Sequence, residues 1–383
     1  MNALSNLKIL DFTTLLPGPY ASMILADMGA DVIKISSPSK YDLVLEEGPK
    51  IDERSANLLW LNRNKKTLAL NLKTEEAIKI VEELIGEYDI ILEQFRPGVM
   101  DKLGLGYKDL KKINPKIIYC SITGYGQTGP YRDRAGHDIN FLGKSGIMSF
   151  SGSKEEGPKL YGTQIADLAG GAMNACLGIL ASVNYRNQTG KGQFIDISMM
   201  DGLLPMNSLV GSDFLLSGES PKREGELLNG GSNYDFYKTK DGRFLSVGAL
   251  EPKFYSRFCQ ILNIKSDSPK DLNAKEEIRK KIREKTLEEW TLIFKDEDVC
   301  TEPVLNLEEI LEDPHIKERN LIIEMKMGDK KIKQFASPIK FSESKQEYKF
   351  PGKKIGSDNI EILKKLSYSD EEIENLKEKG TFK

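Results

Sequence analysis

Over the first 123 positions, short apolar runs alternate with stretches of helical period. Residues 7–12 read as a buried strand, Pro17-Gly18-Pro19 break it, and 20–28 read as a helix. Gly29 ends that helix by supplying the left-handed C-terminal conformation. Residues 31–35 form the next strand and close one β-α-β unit. A second unit runs from strand 67–72 through helix 74–86 to strand 89–95. In that helix Thr74 is the N-cap, and Ile78, Val81, Leu84 and Ile85 share one face. A short helix over 108–113 leads into strand 116–123. Strands alternating with helices predict a parallel α/β sheet.

After Thr123 the pattern changes. Residues 124–135 form a loop rich in Gly, Pro and charge, and a short helix starts near His137 or Asp138. A long helix covers 165–186 and ends at the Gly190 and Gly192 turn. Strand 193–198 and a helix over 199–217 follow. The polar stretch 217–232 marks a boundary. Beyond it, 234–239 and 243–248 form a hairpin around Lys240-Asp241-Gly242, several helices lie within 252–312, and a second hairpin, 322–326 with 331–335, turns at Gly328-Asp329. A last helix covers 369–379, with Ser369 and Glu372 at capping-box spacing and Gly380 as its stop. The expected architecture is a large Rossmann-like α/β domain over 1–217, a small α+β domain with linkers over 218–338, and a C-terminal segment over 339–383 that returns to the large domain.

Composition narrows the function classes. The 383 residues are 39% hydrophobic and 30% charged, enough apolar material for two or three cores. Charge is nearly balanced, with 55 Lys plus Arg against 58 Asp plus Glu, whereas a nucleic-acid binder normally carries a strong basic excess. The four cysteines form no CxxC pair, so zinc ribbons and thioredoxin-like motifs are unsupported. Residues 1–11 lack the pattern of a secretory signal. The apolar stretch 165–183 contains Asp167, Asn174 and three glycines, and it reads as a buried helix instead of a membrane span. The expectation is a cytoplasmic, reduced protein with no membrane partner.

Only two histidines occur, His137 and His315. No His-rich metal centre is available, and histidine acid–base chemistry has two candidates. His315 stands among charged residues and reads as a solvated helix position. His137 stands in Ala135-Gly-His-Asp-Ile-Asn-Phe141. It reads either as a structural histidine or as an acid–base group at a helix start, where free N–H groups stabilise a developing oxyanion. Asp167, in Gln164-Ile-Ala-Asp-Leu-Ala-Gly-Gly-Ala172, reads as a helix cap or as a buried carboxylate with a tuned pKa. The segment Gly124-Tyr-Gly-Gln-Thr-Gly129 matches G-x-G-x-x-G, but Pro130 follows where a dinucleotide site needs a helix. The bland reading is a glycine loop that permits close backbone approach. Arg63, Lys65 and Lys66 precede the second β-α-β unit, and Lys73, Arg96 and Lys102 lie at or beyond strand ends. Each alone reads as a solvated charge. Together near the carboxyl ends of parallel strands they point to a phosphate-bearing small molecule.

With these motifs assembled, the chain resembles the family III CoA-transferase and racemase group, and within it the α-methylacyl-CoA racemases. The resemblance spans nearly the whole chain. It rests on residues 16–35 (beginning Leu16-Pro-Gly-Pro-Tyr20), Arg96-Pro-Gly98, Leu103-Gly-Leu-Gly106, Gly124-Tyr-Gly-Gln-Thr-Gly-Pro130, Gly190-Lys-Gly-Gln193 and 246–252. The Gly-His-Asp step marks the racemase branch. The resemblance implies that His137 and Asp167 are the acid–base pair and that Glu251 supports the histidine. Asp138 would offer its backbone N–H to the enolate oxygen. It implies CoA contacts at Leu70, Asn71, Leu72 and Lys73, at Gln94, Phe95 and Arg96, at Lys102, and at Gly136, Ile139, Asn140 and Phe141. Many relatives carry an arginine where this chain has Ser37, so adenosine-end affinity rests on a substitute such as Lys40. The expected assembly is an interlocked homodimer with each active site between subunits. CoA enters as part of the substrate, and no further cofactor and no metal is called for. The expected reaction interconverts (2R)- and (2S)-2-methylacyl-CoA. The alternatives are a CoA-transferase with Asp167 as nucleophile and a non-catalytic acyl-CoA binding protein.

Overall fold

The computed structural model describes residues 2–382. The chain divides into two compact units. One comprises Met1–Leu142, Thr163–Leu203 and Arg319–Lys383, and the other Gly143–Gly162 and Leu204–Glu318.

The first unit is built on six strands: β1 (Lys8–Asp11), β2 (Asp31–Ser36), β3 (Lys65–Ala69), β4 (Ile90–Glu93), β5 (Ile118–Thr123) and β6 (Phe194–Ser198). They lie in the order β3-β2-β1-β4-β5-β6 with every neighbouring pair parallel. Where both faces are covered, the inner strands read as apolar runs; Ile90, Ile91 and Leu92 are all fully buried. The chain first builds outward from β1 to β3, then returns to β4 on the other side of β1. The switch point therefore lies between β1 and β4, and ligands of such sheets bind beyond the carboxyl ends there.

The helices that matter for the site are α1 (Pro17–Asp27), α2 (Leu43–Glu46), α3 (Glu75–Leu84), α4 (Asp138–Lys144) and α5 (Ala166–Thr189). Helix α1 starts three residues before the expected Tyr20, because proline is tolerated in the first helical turn. Thr74 Oγ1 caps α3 by accepting from Ala77 N at 3.3 Å. The first eight residues of α5, Ala166–Met173, are a π-helix, and the remainder is α-helical. By length and composition α5 could cross a membrane. Here Ala172, Ala175 and Ile179 are fully buried and the helix packs on α1 and β5.

Several expectations shift. The third strand runs over Lys65–Ala69 instead of 67–72, because Lys65 is buried within the strand and its charge is paired. Arg63 and Lys65 are each only 1% exposed, so neither is a solvated charge nor a ligand cation at a strand's carboxyl end. Lys66 pairs with Glu361 at 3.2 Å. The expected helix over 199–217 is broken into Met199–Leu203, a 3-10 turn at Leu204–Asn207 and a helix at Ser208–Ser217. Pro205 lacks the N–H that would continue it. The boundary between the units falls at this break, and the chain rejoins the first unit at Arg319; the sequence reading draws these lines at 217 and 338. The hairpin Ile322–Met327 with Lys330–Phe335 accordingly belongs to the first unit.

The second unit contains an antiparallel three-stranded sheet, Asp235–Lys238, Phe244–Val247 and Thr301–Pro303. Its core includes Tyr237, Leu245, Phe258, Ile278 and Trp290. His315 is exposed on the short helix Pro314–Glu318.

Candidate active site

His137 immediately precedes α4. Its carbonyl accepts from Asn140 N at 2.8 Å, and its own N–H donates to Asn140 Oδ1 at 3.0 Å. This reciprocal pair fixes the helix entry, and the side chain of His137 remains exposed. Behind it, the Phe141 ring fills the space that two glycines leave open. A Cβ on Gly124 would come within 2.5 Å of that ring, and one on Gly136 within 2.6 Å. Tyr125 meets Phe141 edge-on at 5.2 Å. The loop that mimics a dinucleotide motif therefore serves to seat Phe141 beneath His137.

Asp138 joins α4 to α5. Its Oδ1 accepts from Ala166 N at 2.6 Å and from Asp167 N at 3.1 Å. These are N–H groups at the opening of the π-turn segment, which have no partner within the helix. Asp167 follows directly. Burial, with the nearby Asp138 charge adding to it, pushes its carboxyl up to about 7. Burial also raises Asp138, against the two N–H donors that favour its charged form.

His137, Asp138 and Asp167 line one cavity of about 570 Å³ within the first unit, together with Gln94, Gly136 and Phe141. Gln94 Oε1 accepts from Gly18 N at 2.9 Å, so the end of β4 is tied to the start of α1. The rest of the wall is largely apolar, with Leu15, Trp60, Leu168 and Met199. No Lys or Arg occurs among its described lining residues. Among the described residues, no group of three His, Cys, Asp or Glu is placed to hold a metal ion.

A second cavity, about 400 Å³, lies beyond the ends of β1, β2 and β3. It gathers Leu70, Asn71, Leu72, Lys73 and Phe95 with Ser37, Lys34 and Lys40. Lys40 Nζ stands 6.0 Å from the centre of the Phe95 ring. Lys34 is spent on Asp11, but Lys40 and Lys73 leave this cavity two further cations where the other has no Lys or Arg among its described lining residues, which suits a phosphate-bearing end. The remaining sequence candidates lie elsewhere. Arg96 lines a separate cavity of about 200 Å³ with Glu93 and Tyr107. Lys102 and Asn140 are exposed and Ile139 is 54% exposed, and none of the three lines these cavities. Glu251 belongs to the second unit, where it precedes the helix Pro252–Leu262 without capping it through its side chain. Trp60, Lys34 and Asp42 were not legible as site residues. Lys34 reads as part of a strand, and Trp60 and Asp42 lie between residues 36 and 66, where the sequence reading places no element and no motif.

Comparison with known proteins identifies the family. A profile of CoA-transferase family III matches residues 4–359. The chain is 36% identical to alpha-methylacyl-CoA racemase of Homo sapiens, with 98% of this chain and 96% of that one covered. It is 34% identical to succinyl-CoA:glutarate CoA-transferase of Homo sapiens, with 98% and 89% covered. Among solved structures, a CAIB/BAIF family protein from Brucella suis superposes with a TM-score of 0.86 at 28% identity, covering 96% of this chain and 100% of that one. Racemase and transferase relatives thus stand at similar identity, and the chain is an enzyme belonging to CoA-transferase family III.

Proposed function

We propose that this protein is a racemase of 2-methylacyl-CoA thioesters. One observation carries the reading: two chemically different proton-transfer groups, His137 and Asp167, line one largely apolar cavity that has no described Lys or Arg. A succinyl or glutaryl group, such as the transferase relative is named for, would bring a free carboxylate into a cavity that already holds two aspartates and has no described Lys or Arg. A branched alkyl chain meets no such penalty.

In the proposed reaction one of the pair removes the α-proton, and the C–H electrons move to the thioester oxygen as an enolate. The other group returns a proton from the opposite face. A carboxyl near 7 can serve as acid or base at neutral pH. The Asp138 backbone N–H is the candidate donor to the enolate oxygen. We propose a homodimer as well, in which a second copy covers the helix Ser208–Ser217 and supplies its Glu251 to orient His137. On that helix Leu215 and Leu216 are 85% and 92% exposed.

The test is isotope exchange in heavy water. Deuterium should appear at the α-carbon of a 2-methylacyl-CoA, with loss of optical purity. Failure to wash in α-deuterium with any such ester overturns the racemase reading. The second reading, a CoA-transferase with Asp167 attacking the thioester, is favoured by the 34% identical relative. It requires transfer of CoA to a free carboxylic acid, abolished by Asp167→Ala and retained by His137→Ala.

A further inference from the structure

Leu15 is shared by the two large cavities. It lines the one with His137 and Asp167 and also the one with Lys34, Lys40 and Lys73. Its backbone has φ of 60°, a left-handed conformation that leucine rarely adopts. The surrounding contacts impose it. Thr13 N and Thr13 Oγ1 donate to Asp11 Oδ1 at 2.8 and 2.6 Å, and Lys34 Nζ donates to the Thr13 carbonyl. On the far side Gly18 N is held by Gln94. Between these anchors, Leu15 N donates to Asp42 Oδ2 at 2.9 Å.

Asp42 does more than hold Leu15. Its other oxygen accepts from Val44 N at 3.0 Å and Leu45 N at 3.1 Å, and its N–H donates to Glu46 Oε1 at 2.9 Å. It thereby caps α2, whose residues face the same two cavities: Leu43 and Val44 one, Leu45 the other. One carboxylate, 9% exposed, fixes both the strained residue and the segment beside it.

We infer that Leu15, locked by Asp42, is the partition over which the thioester arm crosses, and that Asp42 is a positioning residue for acyl-CoA. This rests on the acyl-CoA reading of the site. The nucleotide end occupies the lysine-lined cavity and the acyl group the cavity with Asp167. Leu15 sets the height and direction of the crossing, so it decides whether both ends of one ligand engage together. Linking two half-sites gains affinity only while the tether geometry holds.

The test compares a ligand that needs the crossing with one that does not, on the full chain by calorimetry. Isobutyryl-CoA spans both cavities and gives the same molecule after proton return to either face. Adenosine 3′,5′-bisphosphate fills only the nucleotide end. Asp42→Ala should weaken isobutyryl-CoA about tenfold relative to the bisphosphate, the usual worth of a hydrogen bond to a charged group; Asp42 also lines the lysine-lined cavity, where loss of its charge favours an anion and so cannot weaken the bisphosphate. Asp42→Asn keeps one acceptor oxygen, for Leu15 N or for the head of α2 but not for both, and should restore part of the affinity. Glycine adopts a positive φ without help, so in a Leu15→Gly background Asp42→Ala should cost clearly less than in the wild type, the remainder being the lost cap of α2. Equal weakening of both ligands, no weakening of either, or a full additional loss in the Leu15→Gly background overturns the inference. Should Asp42→Ala lose its native circular dichroism, Leu15→Ala decides: selective loss of isobutyryl-CoA supports the partition, and equal loss of both ligands overturns it. Binding does not depend on turnover, so absence of isotope exchange would remove the racemase reading while these affinities still decide the role of Leu15.

Discussion

Asp11 and Asp167 are carboxylates of the same unit in opposite surroundings. Asp11 is fully buried at the end of β1, with Lys34 Nζ at 3.1 Å and Lys65 Nζ at 3.4 Å, and with Ser22 and Thr13 hydroxyls donating to it. Burial works to raise its pKa, but Lys34 and Lys65 outweigh it and hold the group down to about 2. The cluster has two cations on one anion, and burial presses Lys65 down to about 7. Asp167 is half-buried, has an aspartate for its charged neighbour, and is pushed up to about 7. The first arrangement neutralises a charge to hold strands together. The second keeps a charge uncomfortable enough to gain and lose a proton near neutrality.

The largest break in this contrast is removal of the paired anion. Asp11→Ala leaves two buried ammonium groups without their partner and should cost about 3–5 kcal/mol of stability, read by urea unfolding. The sign of the pH dependence follows from the depressed pKa. The stabilisation is complete above the ordinary value of 3.8 and is lost as pH falls through about 2; the variant should lack that acid transition. Next comes the unpaired side. His137→Ala should lower α-deuterium exchange by about 10² or more while leaving the urea midpoint near wild type. Asp167→Asn should abolish exchange comparably but stabilise the fold. Its folded pKa is raised from 3.8 to about 7, so ionisation costs folding energy increasingly between those values. The gain should therefore appear at pH 8 and shrink toward pH 4. Its size should be about 1–2 kcal/mol, less than the full shift because water still reaches the carboxyl.

The same contrast marks what the sequence could reveal. The sequence pattern located all six strands of the sheet; the inner ones, such as Ile90–Glu93 and Ile118–Thr123, read as apolar runs because both faces are covered, while the edge strand Phe194–Ser198 alternates buried and exposed positions at its start. Ser369 and Glu372 likewise form the expected capping box. Charges misled where they pair across the fold. Lys65 and Arg63 read as solvent or ligand cations, yet Arg63 Nη2 pairs with Asp27 Oδ2 at 2.5 Å over 36 positions of chain, inside the unit. No local spacing reports such a partner. At the site, His137 and Asp167 stood out as polar residues at helix starts within apolar segments. Asp42 did not, because its meaning lies in the φ of Leu15, 27 positions away, and backbone strain leaves no mark in a polar loop. The π-turns at the head of α5 were also invisible, since the apolar stretch 165–183 has no period that separates a wider coil from an α-helix.

The finest test changes one charge and keeps its geometry. Asp138→Asn retains an oxygen that can accept from Ala166 N and Asp167 N, so the head of α5 stays fixed, but the negative charge beside Asp167 is gone. The other titratable groups among the described lining of the cavity with Asp167 are His137 and Asp138, and Asp138 is the one that adds to burial in raising it. Burial remains in the variant as the larger cause, so the Asp167 pKa should fall partway toward the ordinary carboxylate value. In the direction where Asp167 is the base, the acid limb of the exchange profile moves to lower pH. In the opposite direction, where it is the acid, the alkaline limb moves to lower pH as well. Both limbs shifting together, with the rate at the optimum within about tenfold of wild type, identifies Asp138 as a tuner of Asp167. Loss of activity at every pH without a shift would instead place its role in geometry alone, and Asp138→Ala should then be no worse than Asp138→Asn only if the hydrogen bonds to the head of α5 are dispensable.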